Sequence, residues 1–151
     1  MEIIRTNSSE LATISEGNKE SEKFALCLPG RLDTKDYGNF TSHLKTFAAN
    51  GFYAVSFDPP GTWDSPGSTE LFTTTNYIKA VNELIEHFGN RPTVILGHSR
   101  GGATATLAGT DNPNVVGLLL VNPSLSTPTP PSAETLRTGA YIVHRDITTS
   151  T

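Results

Sequence analysis

The stretch Thr93-Val94-Ile95-Leu96-Gly97-His98-Ser99-Arg100-Gly101-Gly102 decides the fold. Its first four residues form an apolar run between Pro92 and Gly97, which reads as a buried strand. The strand runs straight into a G-x-S-x-G match, Gly97 to Gly101. That pattern has a mechanical reason. A serine on a very sharp strand-to-helix turn is exposed in a strained backbone conformation, and side chains two residues before and after it would collide with neighbouring backbone. The helix that follows aims its free N–H groups at the serine, where they stabilise negative charge. The bare pattern arises by chance in about one chain in twenty of this length, so the context carries the weight. Here a strand precedes it, and a helix of small residues, Gly101 to Ala108 ending at Gly109, follows it closely enough to lie against a sheet.

Working outward, three more apolar runs read as buried strands: Lys23–Leu28, Phe52–Phe57 and Val115–Val121. Between them lie two segments with helical spacing. Tyr37, Phe40, Leu44 and Phe47 form one apolar stripe that closes at Asn50-Gly51; Ile78, Val81, Ile85 and Phe88 form another that closes at Gly89. Alternating strands and helices predict a mainly parallel α/β sheet with right-handed crossovers and helices on both faces. Residues 1–22 are more polar, and Glu2–Arg5 with Leu11–Ser15 predict a hairpin leading into the sheet. After Val121, four of the ten prolines fall between Pro123 and Pro131, which predicts a loop.

Composition narrows the function classes. The chain has 151 residues, one domain's worth. Eleven basic and fifteen acidic residues give a net charge of −4. That leaves no basic face for nucleic acid and no Lys/Arg run for an anionic membrane. Cys27 is the single cysteine, so no internal disulfide forms, and its apolar setting predicts a buried, inert thiol. The N-terminus lacks a signal-peptide pattern, and the longest apolar stretch, Val115–Val121, is far below the ~20 residues of a bilayer span. A cytoplasmic protein is the expectation. No metal site and no cofactor are expected, since there is neither a His-Glu-x-x-His helix nor a phosphate-binding glycine fingerprint.

From about Lys23 to Pro123 the chain resembles the N-terminal part of an α/β-hydrolase, with three landmarks in order. Leu28-Pro29-Gly30-Arg31 follows the first long strand, Phe57-Asp58-Pro59-Pro60-Gly61 follows the next, and Gly97–Gly101 is the nucleophile elbow. The resemblance implies that Ser99 is the catalytic nucleophile. It implies that the backbone N–H of Arg100 and of Arg31 form the oxyanion hole. Pro29 stands where the family most often has histidine, which leaves the Arg31 backbone donor available. The Asp58 turn reads as structural, stiffened by its prolines.

A serine needs a base within reach and an acid to orient that base. In the family both follow the serine, acid before histidine. Downstream of Ser99 stand only Asp111, Glu134, His144 and Asp146. Asp111 follows the nucleophile helix, about 15 Å from the site. His144 and Asp146 fall where the resemblance places a cap segment. His98 adjoins Ser99, and neighbouring side chains diverge, so it is expected to line the pocket rather than act as the base. His43 and His87 read as solvated, while Tyr53, Trp63 and Phe72 are candidates to face the pocket, with core or loop packing the commoner fate of such residues. The expectation is a single, C-terminally incomplete α/β-hydrolase domain over 1–151, with 123–151 as loop and start of cap. It would be a serine hydrolase of a small-molecule ester or related acyl bond, weak or inactive without its missing acid and histidine. The alternatives are a catalytically incomplete pseudoenzyme or partner subunit that self-associates through an open sheet edge, and an anion-binding module built on the Ser99 turn and Arg100.

Overall fold

A computed structural model describes residues 1–31 and 33–125. Six strands form one sheet: β1 (Glu2–Arg5), β2 (Glu10–Glu16), β3 (Lys23–Leu28), β4 (Phe52–Phe57), β5 (Thr93–His98) and β6 (Val115–Val121), in spatial order β1-β2-β4-β3-β5-β6. β1 pairs antiparallel with β2, and β2 antiparallel with β4; β4, β3, β5 and β6 are mutually parallel. The N-terminal hairpin is therefore present, and it extends the parallel sheet on its β4 side. Three helices connect the strands: α1 (Gly38–Ala49), α2 (Thr74–His87) and α3 (Arg100–Asp111).

The period-2 alternation of β3 sorts the core into two layers. Phe24, Leu26 and Leu28 face α2 and α3, joining Tyr77, Val81, Leu84, Ala105 and Ala108. Ala25 and Cys27 face α1, against Phe40, Leu44 and Leu96. The Cys27 thiol is buried, and desolvation pushes its pKa up to about 12. Among the described residues no helix is long and apolar enough to cross a membrane.

Three details depart from the expectations. β5 continues through Gly97 and His98, because both still pair with β6 at Leu120 and Val121. α3 continues through Gly109 to Asp111; the missing side chain of Gly109 admits Leu118, whose methyl group would lie 3.2 Å from a Cβ there, so this glycine packs rather than caps. Tyr53 takes the commoner fate of such a residue, buried in the core and stacked on Phe24. β6, expected as a buried strand, is one edge of the sheet among the described residues. Val116, Leu119 and Val121 are 63%, 49% and 43% exposed, since no element among the described residues covers them.

The loops at the C-terminal ends of β3 and β4 are joined by a buried charge cluster that the sequence did not announce. Lys35 is 2% exposed; its Nζ donates to Asp58 Oδ2 at 2.9 Å and Asp64 Oδ2 at 2.6 Å. Asp58, fully buried, also accepts from the Lys35 backbone N–H at 2.8 Å and from the Asp64 N–H at 3.2 Å. Ser65 continues the link, donating to the Asp58 carbonyl and accepting from the Ala12 N–H. The Asp58 turn is thus structural, as read from its prolines, and Lys35 is the partner that makes its burial tolerable.

Candidate active site

Ser99 is the N-cap of α3 and carries φ 52° and ψ −115°, a backbone conformation that costs a non-glycine residue about 1–3 kcal/mol. Two groups of contacts hold it there. The Ser99 N–H donates to the Val121 carbonyl at 3.0 Å, and the Ser99 carbonyl accepts from the Ser124 N–H at 2.9 Å. Around it the chain packs at backbone distance. A Cβ on Gly97 would lie 2.5 Å from the Gly101 carbonyl oxygen, and a Cβ on Gly101 would overlap the Leu28 carbonyl. Both glycines therefore have the steric reason read from the sequence. Arg100, the first residue of α3, has its backbone N–H in the helix's first turn, where such groups lack an intrahelical partner.

The loop after β3 lies directly beside Ser99. A Cβ on Gly30 would be 3.2 Å from Ser99 Cβ and 3.2 Å from His98 Nδ1. The Pro29–Gly30 peptide is held at both ends. Its carbonyl accepts from the buried Tyr77 hydroxyl at 2.9 Å, and its N–H donates to Asp33 Oδ2 at 3.0 Å. Burial pushes the Tyr77 pKa well up, so its hydroxyl stays a donor. The same Asp33 oxygen lies 2.6 Å from His98 Nδ1. Neither Asp33 nor Tyr77 was singled out by sequence reasoning, because their significance depends on a loop and a helix meeting at β3's end. His98 lines a small cavity of about 70 Å³ with His43, Tyr37, Phe40 and Leu96. His43 is half-buried rather than solvated, while His87 is exposed as read.

On the other side of Ser99, the Arg100 guanidinium stacks 4.0 Å over the Phe72 ring and donates to the Phe72 carbonyl at 3.2 Å. Its pKa is lowered, first by burial and then by the Arg31 guanidinium nearby. Phe72 also packs on Tyr77, so it supports the site wall; Trp63 is 56% exposed on its loop. Among the described residues Ser99 Oγ makes no hydrogen bond, and Asp111 stands at the opposite end of α3. Glu134, His144 and Asp146 lie outside the described residues.

Residues 26–148 match the alpha/beta hydrolase fold family. The chain belongs to this family. Among solved α/β-hydrolase structures, it is similar to the thioesterase domain from the curacin biosynthetic pathway, with 21% identity, a TM-score of 0.74, and coverage of 91% of this chain and 50% of that one. It is similar to an esterase from Exiguobacterium antarcticum at 17% identity and TM-score 0.68, covering 82% and 45%. It is also similar to an epoxide hydrolase from Vigna radiata at 16% identity and TM-score 0.68, covering 79% and 38%. The chain spans half the length of these structures or less. No curated protein matches it significantly. Thioesterase, esterase and epoxide hydrolase share this α/β-hydrolase core, so the fold alone does not choose the bond that is cleaved.

Proposed function

We propose that this α/β-hydrolase chain carries the nucleophile half of a serine hydrolase that cleaves an ester or related acyl bond. The observation that carries the reading is Ser99 itself, held at positive φ on a strand-to-helix turn that two glycines allow and two backbone hydrogen bonds enforce. In the reaction, Ser99 Oγ bonds to the carbonyl carbon while its proton passes to a base. The N–H groups of Arg100 and Arg31 take the charge on the carbonyl oxygen, and the alcohol leaves with a proton. Water then cleaves the acyl–Ser99 bond and frees the acid and the serine. Among the described residues no base bonds Ser99 Oγ, and a serine hydrolase without one keeps only the ~10³–10⁴-fold advantage that an oxyanion hole and binding retain over water.

A fluorophosphonate tests this. Mass spectrometry is expected to find a slowly formed adduct on Ser99, accelerated by imidazole as an external base and absent from Ser99→Ala. No adduct on Ser99 under saturating probe and imidazole would rule the reading out.

The anion-binding alternative draws less support, because the Arg100 guanidinium is committed to Phe72 rather than to the helix N-terminus. The exposed β6 edge favours a second reading instead. Among the described residues no strand pairs with its outer side, and that side together with its apolar side chains suits pairing with a second copy of this chain. Sedimentation at micromolar concentration is then expected to show a dimer that Leu119→Lys returns to monomer; a wild-type monomer across that range counts against it.

A further inference from the structure

We infer that Asp33 is a positioning residue, clamping the loop that carries the Arg31 N–H against the turn that carries Ser99. The inference rests on Ser99 being the nucleophile only for its catalytic consequence; the clamp itself stands on geometry. One carboxylate oxygen, Asp33 Oδ2, meets the Gly30 N–H at 3.0 Å and His98 Nδ1 at 2.6 Å. The first partner belongs to the loop after β3. The second is the residue immediately before Ser99. Asp33 and His98 are both shielded, with side chains 12% and 36% exposed, so solvent screens the pair less than a surface contact.

The clamp acts through a planar peptide. Tyr77 fixes the Pro29 carbonyl and Asp33 fixes the Gly30 N–H, and these are the two ends of one rigid unit. Between that unit and the Arg31 N–H stand only the φ and ψ of Gly30. Glycine is the least restrained residue the chain could place there. A Cβ there would lie 2.7 Å from Asp33 Oδ2 and 3.2 Å from Ser99 Cβ, so a side chain at this position would push the carboxylate off the Gly30 N–H. The close approach that brings the loop to Ser99 thus removes the side chain that would have stiffened it, and the Asp33 carboxylate supplies the missing restraint. His98 serves as the bridge to the elbow.

Two measurements on the 151-residue chain test the clamp. In amide hydrogen exchange, Asp33→Ala is expected to lose at least tenfold of the Gly30 protection, while Asp33→Asn, which keeps an oxygen acceptor, stays within a few-fold of wild type. Equal Gly30 protection in wild type and Asp33→Ala overturns the clamp. In p-nitrophenyl acetate hydrolysis with imidazole supplied as the external base, and above a Ser99→Ala background measured in the same imidazole, Asp33→Ala is expected to lower kcat at least tenfold with KM within about twofold. A donor aimed at the transition state is lost in kcat. Asp33→Asn should recover most of the rate, and an unchanged kcat in a folded Asp33→Ala overturns the catalytic consequence. If Asp33→Ala does not fold, His98→Phe substitutes: folded protein with kcat down at least tenfold supports the bridge, and unchanged kcat overturns it. If wild type does not exceed Ser99→Ala, the reading of Ser99 as nucleophile fails, and the exchange measurement still decides the clamp.

Discussion

Lys35→Met is expected to destabilise the protein by about 3–5 kcal/mol, the cost of leaving a buried charge without its partner. That is a large share of the ~5–15 kcal/mol that holds an ordinary domain together. The substitution keeps the volume and removes the ammonium, so Asp58, fully buried, retains only its two backbone donors. Urea unfolding should show the loss as a lower midpoint with an unchanged slope. Lys35→Met combined with Asp58→Asn should cost less than the sum of the two, because the orphaned charge has gone. Additive losses would mean that the pair is not coupled. Burial alone would lower the Lys35 pKa, but the hydrogen bonds and charges of Asp64 and Asp58 outweigh it and the net shift is upward. Its stabilisation is therefore fully present below the ordinary lysine pKa near 10.4 and is lost as pH rises through the folded-state value. Wild type should lose stability in that alkaline window, and Lys35→Met should lose less.

Gly101→Ala is the second large effect. Alanine is normally the better helix residue by about 1 kcal/mol, yet here its methyl group would overlap the Leu28 carbonyl and meet the Pro29 carbonyl at 2.6 Å. Both obstacles are backbone, and neither can swing aside. The expected cost is about 3 kcal/mol, the upper end for overpacking. The relief must come from moving α3 away from β3, which also draws Ser99 away from the Pro29–Gly30 loop. Adduct formation at Ser99 should fall with the melting temperature. Gly38→Ala is the control, since Gly38 opens α1 and nothing lies within 4 Å of its Cβ position; it should leave the melting temperature unchanged or raise it. A Gly101→Ala protein as stable as wild type would contradict the packing described.

Much of the architecture was legible because it rests on local pattern. The strands over Lys23–Leu28 and Phe52–Phe57 coincide with their apolar runs, and α1 and α2 end at the glycines that close their stripes. Gly109 shows where that logic fails. A glycine near a helix end reads as a cap, but here it makes room for Leu118 on a neighbouring strand, and nothing local distinguishes the two uses. β6 fails for a related reason. Its seven residues are apolar whether or not something covers them, so the run predicts a strand and not its place at the sheet edge.

The sequence by itself determined the turn that presents Ser99. Gly97, Ser99 and Gly101 sit within one strand-to-helix junction, where a side chain on Gly97 would meet the local backbone of Gly101 and Gly102, whereas the obstacle at Gly101 is the Leu28 and Pro29 backbone that the fold brings against it. Only the tertiary structure decided how the turn is equipped. Asp33 and Lys35 come from the one loop after β3 and Tyr77 comes from α2, and their roles arise when the ends of β3, β4 and β5 are brought side by side. A hydrogen bond between residues 65 apart, such as His98 to Asp33, leaves no periodic trace in the chain. It exists because parallel pairing sets the C-terminal ends of these strands next to each other, and buried polar groups there must find partners.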